Sequence, residues 1–248
     1  MQPEPSDQYV QSLVRGLAVI RAFDVERPTM TLTEVAAQTD LTRATARRFL
    51  HTLVEIGYVC TDGKTFALTP RVLQLGFSYL SALTLPAVAQ PHLEGFSRDT
   101  GESSSMAVLD GNEIVYVARA AVRRIMSISI SVGTKFPAYA TSMGRVLLAS
   151  MDAVISPTLV AHTPRSITST VELEAELDRV RSQGFALVDQ ELELGLRSLA
   201  VPIVDGSGST VAAVNVSVAA DAYSAEGLVE RMLPRLLATA QDIQGSLF

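Results

Sequence analysis

The sequence predicts an α+β chain in two parts: an N-terminal winged helix-turn-helix, then a larger domain in which helices flank antiparallel strands. Three observations predict it. Apolar residues recur at helical spacing in the first 56 residues, and a two-run β pattern follows at once. Beyond residue 86, helix-period segments alternate with β-rich runs joined at Asp-Gly turns. The 248 residues, 48% hydrophobic and 19% charged, suit one large or two small globular domains and exclude wholesale disorder. The boundaries read as 1–70 for the winged helix, 71–85 for a linker helix and 86–248 for the second domain.

The first helix carries Val10, Leu13, Val14, Leu17, Ile20, Ala22 and Phe23 and stops at the Glu26-Arg27-Pro28 turn. Thr31 and Glu34 form a capping-box pattern that opens a short second helix through Val35, Ala36 and Ala37. After Thr39-Asp40-Leu41, Thr42 caps a third helix that runs to about Ile56 and ends at Gly57. At 100° per residue, Ala46, Phe49, Leu50 and Leu53 gather on one side of that helix. Ala44, Arg47, Arg48 and His51 take the opposite side, flanked by Arg43 and Thr45. Small residues there permit close approach to a duplex, and arginines reach phosphates or guanine edges. A solvated basic face would show the same pattern.

The residues after this helix favour the DNA-facing reading. Residues 58–61 and 65–69 around Asp62-Gly63-Lys64 form a hairpin, a wing that sets Lys64 against a phosphate. Cys60 on this hairpin reads as a small packed hydrophobe. The net charge of −6 does not argue against a nucleic-acid partner, because it is unevenly spread. Up to residue 85, eight Lys/Arg balance eight Asp/Glu; the other twelve face eighteen further on.

Between Arg71 and Ala82, Val72, Leu73, Leu75, Phe77, Tyr79 and Leu80 suggest a helix that either joins two protomers or packs on its own domain, with Pro86 as the boundary. The second domain then reads as a helix over 86–100 and a hairpin of 104–109 and 113–118 about Asp110-Gly111-Asn112. A strand over 126–132 comes next, then helices over 142–151 and 171–183, the latter stopped by Gly184. Strands over 199–204 and 211–218 and a final helix over 224–245 complete it.

Chemistry is sparse. There is no nucleophile elbow, phosphate loop or zinc-binding helix motif, so an enzyme is not expected. One cysteine and three histidines (His51, His92, His162) exclude disulfides and cysteine- or imidazole-rich metal sites, and no cofactor is expected. Ser103-Ser104-Ser105 reads as a loop leading into a strand, and Asp189, Glu191 and Glu193 as solvated loop charges. The uncharged stretch from Val72 to Leu93 is broken by Pro86, Pro91 and polar residues, and no secretory pattern opens the sequence, so the chain reads as cytoplasmic, with no membrane partner. One feature is site-like. Thr141 or Ser142 can cap the helix that continues through Leu148, leaving backbone N–H groups near Met143 and Gly144 for a carboxylate. An ordinary capped helix is the alternative.

The stretch LTEVAAQTDLTRATARRFLHTLVEIGYV resembles the N-terminal domain of IclR-type transcription regulators. FPAYATSMGRVLLA and GFALVDQELELGLRSLAVPIVD resemble their effector domain, and the likeness runs from about Val10 to the final helix. RRIMSISISVGTKFPAYATSMGR resembles the PcaR/PobR-type branch, whose members sense compounds of aromatic-acid (β-ketoadipate) catabolism. The resemblance implies a ligand-responsive DNA-binding regulator with a GAF-like effector domain, its pocket set against a curved antiparallel sheet. Arg43, Thr45, Arg47, Arg48, His51 and Lys64 would meet a double-stranded operator. A small aromatic or dicarboxylic acid would be the effector, and homodimers, often paired into tetramers, would be joined partly by the 71–84 helix.

Carried over by residue, Ile125, Ile128 and Phe136 would line the pocket, and Ser142 and Met143 would offer N–H groups. Asp189, Leu196, Ser198, Asn215 and Ser217 would form the far wall, with Arg124 either a surface arginine or an added contact. Two departures stand out. The family's acidic position falls one residue earlier than Asp189, at Val188. Sensors of smaller acids have glycine-alanine and cysteines where this chain has Ser142-Met143, Ser198 and Asn215, which implies a different, aromatic ligand. The competing readings are an enzyme acting on a small carboxylate and an architectural DNA-binding protein whose second domain only oligomerises. Polar residues converging on a cavity at Ser198, Asn215 and Ser217 would argue against the latter.

Overall fold

Helix α1 (Gln11–Arg21) seats Val19 in an apolar core with Ala22, Phe23, Met30, Val35, Leu50, Leu53, Val59 and Phe66. This core belongs to the first of two compact units, Met1–Ala82 and Leu83–Phe248, in a computed structural model that describes residues 9–75, 84–122, 130–151 and 158–247. Helices α2 (Leu32–Gln38) and α3 (Arg43–Glu55) form the helix-turn-helix, and Asp40 supplies the left-handed turn between them (φ 53°). Thr31 and Glu34 close the expected capping box, and the Thr42 hydroxyl accepts from the Thr45 N–H at 3.2 Å.

Strands β2 (Val59–Thr61) and β3 (Thr65–Leu68) make the wing. A strand the sequence did not suggest, β1 (Thr29–Thr31), pairs with β3 and places Met30 opposite Phe66, giving the antiparallel order β1-β3-β2. Cys60 is exposed rather than packed, because the strand alternation that buries Val59 turns its neighbour outward. Of the expected linker helix, a 3₁₀ turn (Pro70–Val72) and residues 73–75 are described, and residues 76–83 lie outside the described residues.

In the second unit, α4 (Thr84–Thr100) begins before Pro86, which sits in its first turn where the missing N–H has no helical acceptor to lose. The strands β4 (Ser103–Asp110), β5 (Glu113–Ala120), β6 (Lys135–Pro137), β7 (Ala186–Asp189), β8 (Leu196–Val204) and β9 (Thr210–Ala219) form one antiparallel sheet in the order β6-β5-β4-β9-β8-β7. Register shifts at Met106/Ala107 and Ile203/Val204 add local bend and twist. The expected strand over 126–132 is not found in its described part, 130–132, while β6 occupies what reads as loop; residues 126–129 lie outside the described residues.

Strand alternation divides the sheet between two cores. Val214, Val216 and Val218 of β9, with Leu199, Val201 and Ile203 of β8, face α4 and the final helix α7 (Ala225–Gly245). Ala213, Ala200, Ala107 and Ile114 face α5 (Ser142–Ala149) and α6 (Thr170–Gln183). The second face changes character along β9, from Ala213 to Asn215 and Ser217. That change opens the candidate site.

Candidate functional site

A cavity of about 910 Å³ lies on the α5 face of the sheet in the second unit. Phe136, Ser142, Leu196, Ser198, Asn215 and Ser217, all expected from the sequence, line it together. The register explains the convergence: Ser198 lies opposite Ser217, Ser217 opposite Ser103, and Asn215 opposite Ser105, so same-face polar side chains form a patch across β8, β9 and β4. Tyr116 and Phe136 meet edge-to-face at 5.9 Å and give the lining an aromatic side. Burial pushes the Tyr116 hydroxyl up to about 12, so it stays protonated.

Other expected residues fall elsewhere. Ile125, Ile128 and Arg124 lie outside the described residues. The Met143 side chain is buried in the α5 core and does not line the cavity, because α5 is enclosed on every side. Only its backbone N–H stays at the helix start. Thr141 is the cap, accepting from the Gly144 N–H at 3.1 Å, and the N–H groups of Ser142 and Met143 have no acceptor among the described residues. Asp189 is turned away from the cavity, with Val188 lining it instead. The Asp189 carboxylate accepts from Arg165 (2.7 Å) and from Arg197 (2.8 Å).

Glu191 is likewise no solvated charge. It takes both Nη atoms of the buried Arg145, at 2.8 and 2.5 Å, while Arg145 Nε donates to the Tyr139 carbonyl. This pair fastens the segment after β7, whose Gln190, Leu192, Glu193 and Leu194 line the cavity, to α5. Ser103 and Ser105 belong to β4 rather than to a loop, and Ser104 on the opposite face bonds Ser97 and the Leu93 carbonyl.

The sequence reading missed Arg119. It lines the cavity from β5, and its Nη1 donates to Ser105 Oγ at 3.3 Å. Burial holds its guanidinium below the ordinary arginine value. A charge between two alanines, Ala118 and Ala120, at the end of a β-rich run was the available signal. Among the described residues, three buried side-chain polar atoms have no hydrogen-bond partner: Arg119 Nε, Ser142 Oγ and Asn215 Oδ1. All three residues line this cavity. A buried polar group without a partner is unfavourable by about 1–3 kcal/mol, so their clustering marks a place where a polar ligand or water completes the structure.

The first unit carries the second candidate surface. Arg43, Ala44, Arg47, Arg48 and His51 are exposed along α3, and Thr45 is half-buried, its hydroxyl 2.9 Å from that of Thr42. No carboxylate pairs with these arginines among the described residues, which leaves them open to phosphate or base. At the wing tip, Asp62 accepts from the N–H groups of Thr65 and Lys64, which hold its carboxyl below the usual range and project the Lys64 side chain outward. Among the described residues no cluster of His, Cys, Asp or Glu could hold a metal, and no helix is long and apolar enough to cross a membrane.

Comparison with known proteins agrees with this architecture. The family model for the IclR helix-turn-helix domain matches residues 12–63, and that for the C-terminal region of the bacterial transcriptional regulator IclR matches residues 77–245. The chain is 45% identical over 247 residues to the Pca regulon regulatory protein of Pseudomonas putida, covering 97% of this chain and 85% of the relative. It is similar to the crystal structure of a transcriptional regulator from Rhodococcus sp. RHA1, with 55% identity, a TM-score of 0.83 and coverage of 96% and 98%. It is also similar to an IclR homologue from Microbacterium hydrocarbonoxydans complexed with 4-hydroxybenzoate, with 25% identity, a TM-score of 0.84 and coverage of 95% and 98%.

Proposed function

The chain belongs to the IclR family of bacterial transcriptional regulators, and from that premise we propose that it governs aromatic-acid catabolism by binding an operator as a homodimer and answering to a small acid in its effector cavity. The clustering of Arg119 Nε, Ser142 Oγ and Asn215 Oδ1 in one cavity carries the effector half of this reading. Donors at the start of α5 suit a carboxylate, and Tyr116 and Phe136 suit a ring. The bound 4-hydroxybenzoate of the Microbacterium relative is an acid of this kind. A thermal-unfolding series with 4-hydroxybenzoate and other aromatic and dicarboxylic acids tests it. An acid at 100 times its dissociation constant should stabilise the protein by about 2.7 kcal/mol. If no acid in the series raises the unfolding midpoint, the cavity is not an acid-effector site.

For DNA, Arg47 and Arg48 are the proposed operator contacts from α3, with Arg43, Thr45 and His51 beside them and Lys64 on a phosphate from the wing. Arg48→Ala should weaken specific binding by about 1–3 kcal/mol, and Lys64→Ala should weaken all sequences alike and flatten the salt dependence by about one unit. One winged helix covers too little duplex for tight specificity, so two copies are needed to present two half-sites. Leu13, Val14 and Leu17 support such pairing: they are 63%, 43% and 47% exposed on α1, a stripe that suits a second copy. Fluorescence titration of an operator, with light scattering of the same sample, checks both points. Unchanged affinity in a folded Arg47→Ala, Arg48→Ala variant, or full affinity in a strict monomer, would contradict the proposal.

A further inference from the structure

We infer that Arg119 is a second anchor for the effector, so that the ligand is an acid with acceptor oxygens at two ends, one on the Arg119 guanidinium and the other at the start of α5. The inference rests on the reading of the cavity as an acid-effector site. It comes from a contrast among arginines. Arg145 and Arg197 each have a carboxylate, Glu191 and Asp189 respectively, and Arg119 has none among the described residues. Its Nη1 is used by Ser105, but Nε is shut off from solvent with no acceptor. Nε and Nη2 form the edge of a guanidinium that takes a carboxylate side-on with two parallel hydrogen bonds, and neither has an acceptor among the described residues. A half-buried cation without a counter-charge loses part of its hydration uncompensated, and this burial already depresses its pKa. An incoming anion corrects this.

The other pole is independent. Ser142 is 1% exposed, its Oγ is unpartnered, and it opens an eight-residue helix whose first N–H groups are free. On the sheet wall of the cavity, Arg119 lies opposite Ser105 and Ser105 opposite Asn215, so Arg119 and Asn215 stand two strands apart, a backbone separation of about 10 Å, while Ser142 lines the cavity from α5. A benzene ring with a polar group at each end, or a short dicarboxylate, carries acceptor oxygens for two separate groups of one cavity, on its wall and its roof. A one-ended acid leaves one pole unmatched.

Isothermal titration of the full chain with 4-hydroxybenzoate, adipate and benzoate tests the inference. The parent should bind at least one two-ended acid about tenfold or more tightly than benzoate. Arg119→Met should bind that acid about tenfold or more weakly. In the absence of ligand, Arg119→Met should unfold at the same or a higher temperature than the parent, because it replaces an unpaired cation with an apolar side chain of similar length. Arg119→Lys keeps the charge without the fork and should bind less tightly than the parent. Affinity equal to the parent's in both Arg119→Met and Arg119→Lys, or a lowered midpoint in both without ligand, overturns the inference and leaves the cavity as an effector site. Binding of none of the three acids by the parent overturns the inference together with the reading beneath it.

Discussion

Replacing Gly144 with alanine is expected to destabilise the effector domain by about 3 kcal/mol or more and to abolish its response to ligand. A Cβ on Gly144 would lie 2.1 Å from the Ala138 carbonyl oxygen and 2.4 and 2.5 Å from the Ala138 Cα and carbonyl carbon. These are backbone atoms of the 3₁₀ turn Ala138–Ala140, itself buried, so no side chain can swing aside. Relief requires the turn and α5 to separate. That would break the Thr141 cap and shift Ser142 from the cavity wall. Gly16 is the natural control. A Cβ there meets the Phe49 ring at an ordinary 3.8 Å, and alanine in the interior of α1 should stabilise by about 0.5–1 kcal/mol. Urea unfolding of both variants checks the contrast; a Gly144→Ala protein within about 1 kcal/mol of the parent would show that the turn yields more easily than its burial implies.

The sequence announced those parts of the fold that rest on local chemistry. Thr31 with Glu34, Thr42, Gly57 and Gly184 are caps or stops whose function needs only their neighbours, and the structure has each in place. The turn at Asp110-Gly111-Asn112 is equally local, with Gly111 at φ 61°. Strands of three or four residues carry too little periodicity to be detected unless, as with β2 and β3, a turn such as Asp62-Gly63-Lys64 joins them. Thus β1, β6 and β7 went unseen, since each pairs with the edge of a longer strand. Arg119 was hidden by a similar limit: the expected strand stopped at residue 118, and the irregularity at Met106/Ala107 that sets its facing is a tertiary fact.

The acidic run shows the limit most plainly. On an extended segment Asp189 and Glu191 would share a side, but Gln190 takes φ 62° and breaks the extension between them. Each carboxylate then turns to a different cation. For Met143, helical periodicity offers no hint that α5 is enclosed all round, which sends the side chain into the core and leaves only its N–H at the helix start.

Glu191→Ala should destabilise the effector domain by about 3–5 kcal/mol, the penalty of leaving a buried guanidinium without its counter-charge. The Arg145 side chain is 1% exposed and that of Glu191 11%. Besides its two bonds to Glu191, Arg145 donates to the Tyr139 carbonyl, and its Nη1 lies 3.7 Å from Glu176. Glu176 is already held by Arg179 at 2.7 Å through the same oxygen, so it offers Arg145 a longer, shared contact and not the two short bonds of Glu191. Glu191 also accepts from the Ile167 N–H at 3.2 Å, so its loss frees a second loop. Asp178→Ala supplies the comparison. Its partner Arg181 is 45% exposed and the pair lies one turn apart on a helix surface, so its loss should change stability by less than about 1 kcal/mol. If charge burial is the cause, removing both partners in Arg145→Met, Glu191→Leu should recover much of the loss of Glu191→Ala. Ligand affinity should fall in the single variant, because Glu191 fastens the segment that lines the cavity. Chemical denaturation of the parent, the two single variants and the double variant decides the matter. Equal effects for Glu191→Ala and Asp178→Ala would mean that Arg145 finds solvent or another acceptor when its partner is removed.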